Sequence, residues 1–195
     1  MRVYSLIKSR RSIRKFTPDP VSQELLARLM EAGRLAPVAA NRQPLEFIAV
    51  NDPALCAQIF PHTHWAGALE NGGPQPGEEP TAYVCLLVSD HIKSPVPEMD
   101  VGFAAESIIL TALDEDVASC AIGALDRQPL TELLGVPEHY TLSLVIALGY
   151  PAQTAVAEDM TGEDTTYWRD EAGVHHVPKR PAAQVTHWNT FNKHD

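Results

Sequence analysis

Apolar positions along this chain recur at two spacings, and the change from one to the other outlines the elements. Val3, Leu6 and Ile7 fall on one face of a short helix over residues 2–9. Thr17-Pro18-Asp19-Pro20 breaks the chain, and Ser22 follows as an N-cap whose hydroxyl can accept from a first-turn N–H. Leu25, Leu26, Leu29, Ala32 and Leu35 then mark an amphipathic helix with Gly33 near its end. Pro37 to Pro44 reads as loop, Phe47-Ile48-Ala49-Val50 as a strand stopped by Asn51-Asp52-Pro53, and Ala54 to Phe60 as a second helix. Residues 61–80 are punctuated by Pro61, Gly67, Gly72, Gly73, Pro74, Pro76, Gly77 and Pro80, which predicts a largely irregular, mobile loop.

Tyr83 to Val88 is a continuous apolar run of strand length. After Pro95 and Pro97, Asp100 is the expected cap of the strongest helix, on which Val101, Ala104, Ala105, Ile108, Ile109, Ala112 and Leu113 cover a broad face. So wide an apolar face suits a helix lying centrally in the core. Ala118 to Gly123 reads as a strand, Leu130 to Leu134 as a short helix closed by Gly135, and Tyr140 to Tyr150 as a final buried strand. The last 45 residues are polar, with Trp168, Trp188 and Phe191 as scattered anchors. Irregular alternation of helices with about four strands fits an α+β or three-layer domain better than a regular parallel winding. The length favours one domain over residues 1–195. A tail of residues 151–195 with little core of its own needs a surface to lie against, and a partner subunit is one such surface.

Composition narrows the picture. The chain carries 25 acidic against 15 basic residues, a formal net charge of -10, which disfavours nucleic acid as a partner. The bases are uneven: Arg2, Lys8, Arg10, Arg11, Arg14 and Lys15 all precede residue 16. Such a cluster reads either as a local anion site or as a solvated basic end, and charge alone does not separate the two. Cys56, Cys85 and Cys120 form no CxxC pair, and the odd number argues against a disulfide framework; Cys85 and Cys120 read as buried thiols. No apolar run approaches the roughly 20 residues that span a bilayer, and the N-terminus lacks a signal-peptide core, so no membrane partner and a cytoplasmic location are expected.

In Ser9-Arg10-Arg11-Ser12-Ile13-Arg14-Lys15-Phe16, an extended backbone would send Arg10, Ser12 and Arg14 to one side. Two guanidinium forks and a hydroxyl make a phosphate receptor. This segment resembles the RRSxRxF motif of the nitroreductase family. Ala36-Pro37-Val38-Ala39-Ala40-Asn41-Arg42-Gln43-Pro44 resembles that family's second motif, and one helix fills the interval between the two. Further resemblances follow in order: the helix after Asp100 to the central helix, Cys120 to Asp126 to the strand and loop beside the flavin ring, Leu148-Gly149-Tyr150-Pro151 to a Gly-Tyr-Pro strand end, and Val177 to Pro181 to a basic Arg-x-Pro segment.

The resemblance implies an α+β, three-layer α/β/α domain with a central, mostly antiparallel sheet, a C-terminal tail over the partner, and a homodimer with FMN at the interface. Arg10, Ser12 and Arg14 would hold the ribityl phosphate, with Arg11 close by and Lys179 and Arg180 adding charge. Pro37, Val38, Ala39 and Asn41, with Gln43, would come from the other subunit and lie against the flavin ring. Gly123 and Ala124 would present backbone N–H groups near the N5 edge. The implied chemistry is reduction of a small-molecule electron acceptor, such as a nitroaromatic or a quinone, by NADH or NADPH in ping-pong order. It requires no catalytic side chain and no metal. A non-catalytic FMN-binding or regulatory protein of the same fold is the alternative. Val38, Ala39 and Leu45 depart from the family pattern, as do Asp114 to Ser119 and residues 61–80. Trp65 is either a lid or packing, Glu106 is paired or exposed, and His175-His176 reads as a surface pair.

Overall fold

The computed structural model describes residues 2–65 and 72–191. Four helices, two on each side, enclose a four-stranded antiparallel sheet of order β1-β2-β4-β3, formed by Leu45–Val50, Ala82–Ser89, Ala118–Ile122 (β3) and Tyr140–Gly149 (β4). Strand β2, central and buried on both faces, carries the run Tyr83 to Val88 that has no polar alternation. Ala82, Val84, Leu86, Ile146 and Leu148 face helices α2 (Gln23–Arg34) and α4 (Pro97–Asp114). Tyr83, Cys85, Leu87, Val145 and Ala147 face α3 (Pro53–Ile59) and α5 (Arg127–Leu133). The expected α+β, three-layer α/β/α arrangement follows from these two apolar sets.

The register of β2 against β4 shifts between Leu86↔Leu144 and Leu87↔Leu142, leaving Ser143 as the extra residue of a bulge. The extra residue reverses the alternation, so Leu142 and Val145 reach the same core although an odd number of positions separates them. Ser22 caps α2 as expected, accepting from the Leu25 N–H at 3.2 Å, and Gly135 closes α5 with φ +62°. Asp100 does not cap α4. The helix begins three residues earlier at Pro97, where the missing N–H costs nothing, and Asp100 lies in its first turn.

Helix α1 (Val3–Ser9) packs along α4, and the chain then runs beside edge strand β3, with Ser12 opposite Ser119 and the Ile13 N–H donating to the Ser119 carbonyl at 2.9 Å. Phe16 inserts against Gly149, where an added Cβ would meet its Cβ at 2.9 Å. The polar C-terminal stretch holds structure that its composition did not signal. Ala155–Asp159 (β5), Trp168–Arg169 (β6) and His175–Lys179 (β7) form a second sheet of order β5-β7-β6, and Ala182–Val185 (α6) follows. Here aromatic and ionic pairs replace an apolar stripe: His176 stacks on Trp168 at 4.1 Å between Glu158 and Asp170. His175 is therefore buried rather than a surface residue, because β7 is the middle strand and turns it inward. Of the loop expected over residues 61–80, positions 66–71 lie outside the described residues. Its start is ordered by an antiparallel bridge from Thr63 to Leu125, and Trp65 packs against Phe60 with its indole N–H on the Thr63 hydroxyl.

Candidate functional site

Helix α1 ends at Ser9, and Arg10 leaves it with an extended backbone. Beside β3 the next residues divide their tasks. Arg11 folds back, donating from Nη2 to the Lys8 carbonyl at 2.6 Å and from Nη1 to the Arg10 carbonyl, so it satisfies carbonyls at the end of α1; its Nε is buried without a partner. Arg10 Nε stands 3.5 Å from Glu106 on α4, a partly exposed pair that solvent screens. Arg14 points to the second sheet, 5.4 Å from the centre of the Tyr167 ring and with Nη1 3.4 Å from His175 Nε2.

That last contact fixes a protonation state. Arginine has no acceptor, so His175 must accept at Nε2 and carry its proton on Nδ1. Burial, with the positive charges of Arg14, Arg169 and His176, holds the His175 pKa below its ordinary value. His175 Nδ1 is buried without a partner. Cys120 lies beside Arg14; burial pushes its thiol pKa up, and the guanidinium partly opposes the rise.

At the end of β3, Gly123 and Ala124 are exposed, and a Cβ built on Gly123 would meet nothing within 4 Å. The turn is nonetheless held on every side. Arg127 donates to the Gly123 carbonyl, the His64 N–H donates to the Ala124 carbonyl, and the Asp126 N–H donates to the His62 carbonyl. The Asp126 carboxylate accepts from His64 Nε2 at 2.8 Å and faces His62 Nδ1 at 3.4 Å. Hydrogen bonds from His64, then His62, lower its pKa. Asp126 is more than sixty positions from either histidine, and the fold brings it to them across the Thr63–Leu125 bridge.

Pro37, Val38, Ala39, Asn41 and Gln43 lie at the other edge of the sheet, before β1. Three strand spacings of about 4.8 Å, roughly 14 Å in all, separate that edge from β3. Ala40, Asn41 and Gln43 have φ of 48°, 53° and 55°, a left-handed backbone unfavourable for residues with a Cβ. The loop is fastened from beneath by Asp100, fully buried, which accepts the Ala39 N–H at 2.8 Å and the Ser94 hydroxyl at 2.5 Å. Lys179 and Arg180 are exposed at and just past the far end of β7, about 13 and 16 Å along an extended chain from the His175 that meets Arg14. Arg180 donates to the Gln184 carbonyl. The structure therefore gathers Arg10, Ser12, Arg14, Gly123 and Ala124 along β3, sets the Pro37–Gln43 loop apart, and leaves Lys179 and Arg180 outside the contacts of Arg14. His175, Tyr167, Asp100 and Arg127 were not foreseen; the first three act through residues distant in sequence, and Arg127 through a fork that joins the nearby Gly123 carbonyl to the Leu142 carbonyl of β4.

A model of the Nitroreductase family matches residues 7–150. The chain belongs to the nitroreductase family. It is 32% identical over 154 residues to a protein of Archaeoglobus fulgidus assigned as an NADH dehydrogenase/NAD(P)H nitroreductase, covering 75% of this chain and 83% of that one. An NADPH-dependent oxidoreductase of Staphylococcus saprophyticus is 26% identical over 172 residues, covering 76% and 64%. Among solved structures, a Desulfovibrio desulfuricans protein described as a nitroreductase in complex with FMN superposes with a TM-score of 0.69 at 23% identity, covering 98% and 99%. The nitroreductase fold is thus shared across nearly the whole chain.

Proposed function

We propose that this protein is an FMN-dependent oxidoreductase that draws electrons from NADH or NADPH and passes them to a small acceptor such as a nitroaromatic or a quinone. The reading is carried by one observation: in a chain of this family, the Arg10-Arg11-Ser12-Ile13-Arg14 strip lies against β3, with Ser12 opposite Ser119, on the strand whose other end opens at Gly123. The donor set fits the cofactor, since two guanidinium groups and a hydroxyl within five residues suit a phosphate dianion, and the open turn at Gly123 leaves room for a flat ring. Bound FMN supplies the two-electron chemistry, so no catalytic side chain is assigned. Arg10, Ser12 and Arg14 bind the phosphate, His175 and Tyr167 orient Arg14, and Gly123 and Ala124 offer backbone donors to the ring. Arg11 supports the strip from within, and Lys179 and Arg180 add positive charge at the far end of β7. Donor and acceptor occupy the same place in turn, which gives ping-pong kinetics.

The working form in this reading is a cytoplasmic homodimer, each chain one FMN-binding domain. Pro37 to Gln43 lies on the sheet edge opposite Arg10 to Arg14, and this reading takes the two from different protomers. Val3, Tyr4 and Ile7 on α1 and Met99 and Phe103 on α4 leave large apolar side chains exposed, which suits burial against a second copy. No described helix is long and apolar enough to cross a membrane.

The test is an absorbance spectrum of the purified protein, followed by NADH and then NADPH without oxygen. Flavin bands that bleach with either nucleotide are expected. Bands that resist both leave an FMN-binding protein without the enzyme activity, and no flavin after reconstitution overturns the proposal. Arg10→Ala with Arg14→Ala is expected to release FMN and, by mass action, to weaken the protein's thermal stability.

A further inference from the structure

We propose that Arg127 is a positioning residue: its guanidinium turns the Gly123–Ala124 peptide so that the Ala124 N–H faces outward, toward the ring of the cofactor. This inference rests on the FMN reading above. Arg127, the first residue of α5, reaches back across the sheet end with Nε on the Leu142 carbonyl at 3.1 Å and Nη2 on the Gly123 carbonyl at 3.0 Å. Nη2 also lies 3.4 Å from the Ser143 carbonyl. The bulge makes this possible. Ser143 has no partner on β2, and the carbonyls of Leu142 and Ser143 that flank the irregularity are taken up by one planar fork.

The consequence comes from peptide geometry. In a trans peptide the C=O and the following N–H point in opposite directions, and no cis bond occurs in the described chain. Holding the Gly123 carbonyl against Arg127 and β4 therefore turns the Ala124 N–H away from the sheet. The next peptide is pinned the same way by the His64 N–H on the Ala124 carbonyl at 3.0 Å. Without such restraint an exposed glycine with open space around it would sample both orientations of this peptide. Arg127 thus converts a permissive turn into a fixed donor before any ligand arrives, which lowers the ordering cost of binding. Lysine cannot replace it, because a single ammonium does not offer two donors in a rigid plane.

The experiment compares the wild type with R127K and R127Q. FMN dissociation constants come from titration of the FMN-free protein, midpoint potentials from the holoprotein, and the orientation of the Ala124 N–H from its residual dipolar coupling in FMN-free protein. With melting temperatures near wild type, both variants are expected to bind FMN roughly five- to tenfold more weakly, the worth of one aligned hydrogen bond. Their potentials are expected to shift positive, because an N–H donor at N5 stabilises the oxidised ring, whose N5 lone pair accepts. The Ala124 coupling is expected to change. Wild-type affinity, potential and coupling in both variants overturn the role of Arg127 while leaving the FMN reading intact. A wild type that takes up no FMN overturns that reading instead, and an unchanged Ala124 coupling in R127Q then still refutes the orientation by Arg127. Should R127Q fail to fold, R127K alone decides the matter, since it keeps the charge and removes the fork.

Discussion

Removal of the Asp100 carboxylate tests how the Pro37–Gln43 loop is held. Asp100 is 1% exposed and accepts from Ala39 and Ser94, while three residues of the loop sit in left-handed backbone. A hydrogen bond to a charged group contributes about 1.5–3 kcal/mol, and a buried donor left without a partner costs a similar amount. Ser94 is only half-buried, so its hydroxyl can donate to water instead, and the loss falls mainly on the Ala39 N–H. Asp100→Ala is therefore expected to destabilise the protein by about 3 kcal/mol. For a chain of this size that lowers the melting temperature by roughly 6–12 °C. Asp100→Asn keeps an acceptor for Ala39 and can donate to Ser94, so it loses the charge assistance alone, about 1 kcal/mol. The assay is urea unfolding at fixed protein concentration, paired with FMN titration, because a loop released into commoner backbone regions presents Val38 and Asn41 less often. An Asp100→Ala variant within about 0.5 kcal/mol of wild type would refute the reasoning, since surface changes of no consequence fall in that range. An Asp100→Asn variant as damaged as Asp100→Ala would refute the hydrogen-bond account and point to the charge itself.

Three further expectations follow from groups away from that loop. His175 is held below its ordinary pKa by burial first and then by Arg14, Arg169 and His176. Its unfolded form takes up a proton near pH 6.5 and the folded form only at lower pH, so stability falls as pH drops below that value. His176 is raised by Glu158 and Asp170, so its contribution is present below about pH 6.5 and is lost as pH rises through its folded pKa. Urea unfolding across this range should show H175Q flattening the acid-side loss and H176Q removing the opposite trend. Burial pushes Cys56 up to about 11 and Cys85 up to about 12, and raises Cys120 as well. A disulfide reagent at about pH 8 should therefore find no reactive thiol in the native protein and all three after denaturation; prompt labelling of any thiol contradicts that burial. Gly149→Ala is expected to cost about 1–3 kcal/mol, because its Cβ would stand 2.9 Å from the Phe16 Cβ near the backbone. Gly33→Ala meets the flexible Ile108 Cδ1 at the same distance and should cost less by thermal unfolding.

Most of the main sheet and its helices could be read from apolar spacing, because α2, α4 and the four core strands owe their existence to a face that must leave water. The end of α4 nearest the loop was misread for a specific reason: Asp100 looks like a cap in sequence, yet its carboxylate serves Ala39, sixty-one positions away. The second sheet was missed because Glu158, Trp168, Asp170 and His176 stabilise it through ionic and stacking pairs that leave no periodic trace. The cationic strip Arg10 to Arg14 was legible as a motif, since alternation along an extended segment is a local property. Its surroundings were not.

The sequence by itself determined the layers, the apolar sets that separate them, the cationic character of the strip beside residue 12 and the family to which the chain belongs. These depend on local spacing and on residue chemistry, which the chain carries wherever it folds. Only the tertiary structure decided that His175 accepts from Arg14, that Asp126 joins His62 to His64, that Asp100 fastens a loop it does not adjoin, and that Arg127 holds the Gly123 carbonyl. Each of these pairs is between 4 and 161 positions apart, and all depend on which strands and loops become neighbours, the shortest because the same Arg127 fork also takes the Leu142 carbonyl of β4. Strand order in turn follows from how two apolar faces are buried at once, a property of the whole chain that no local stretch contains.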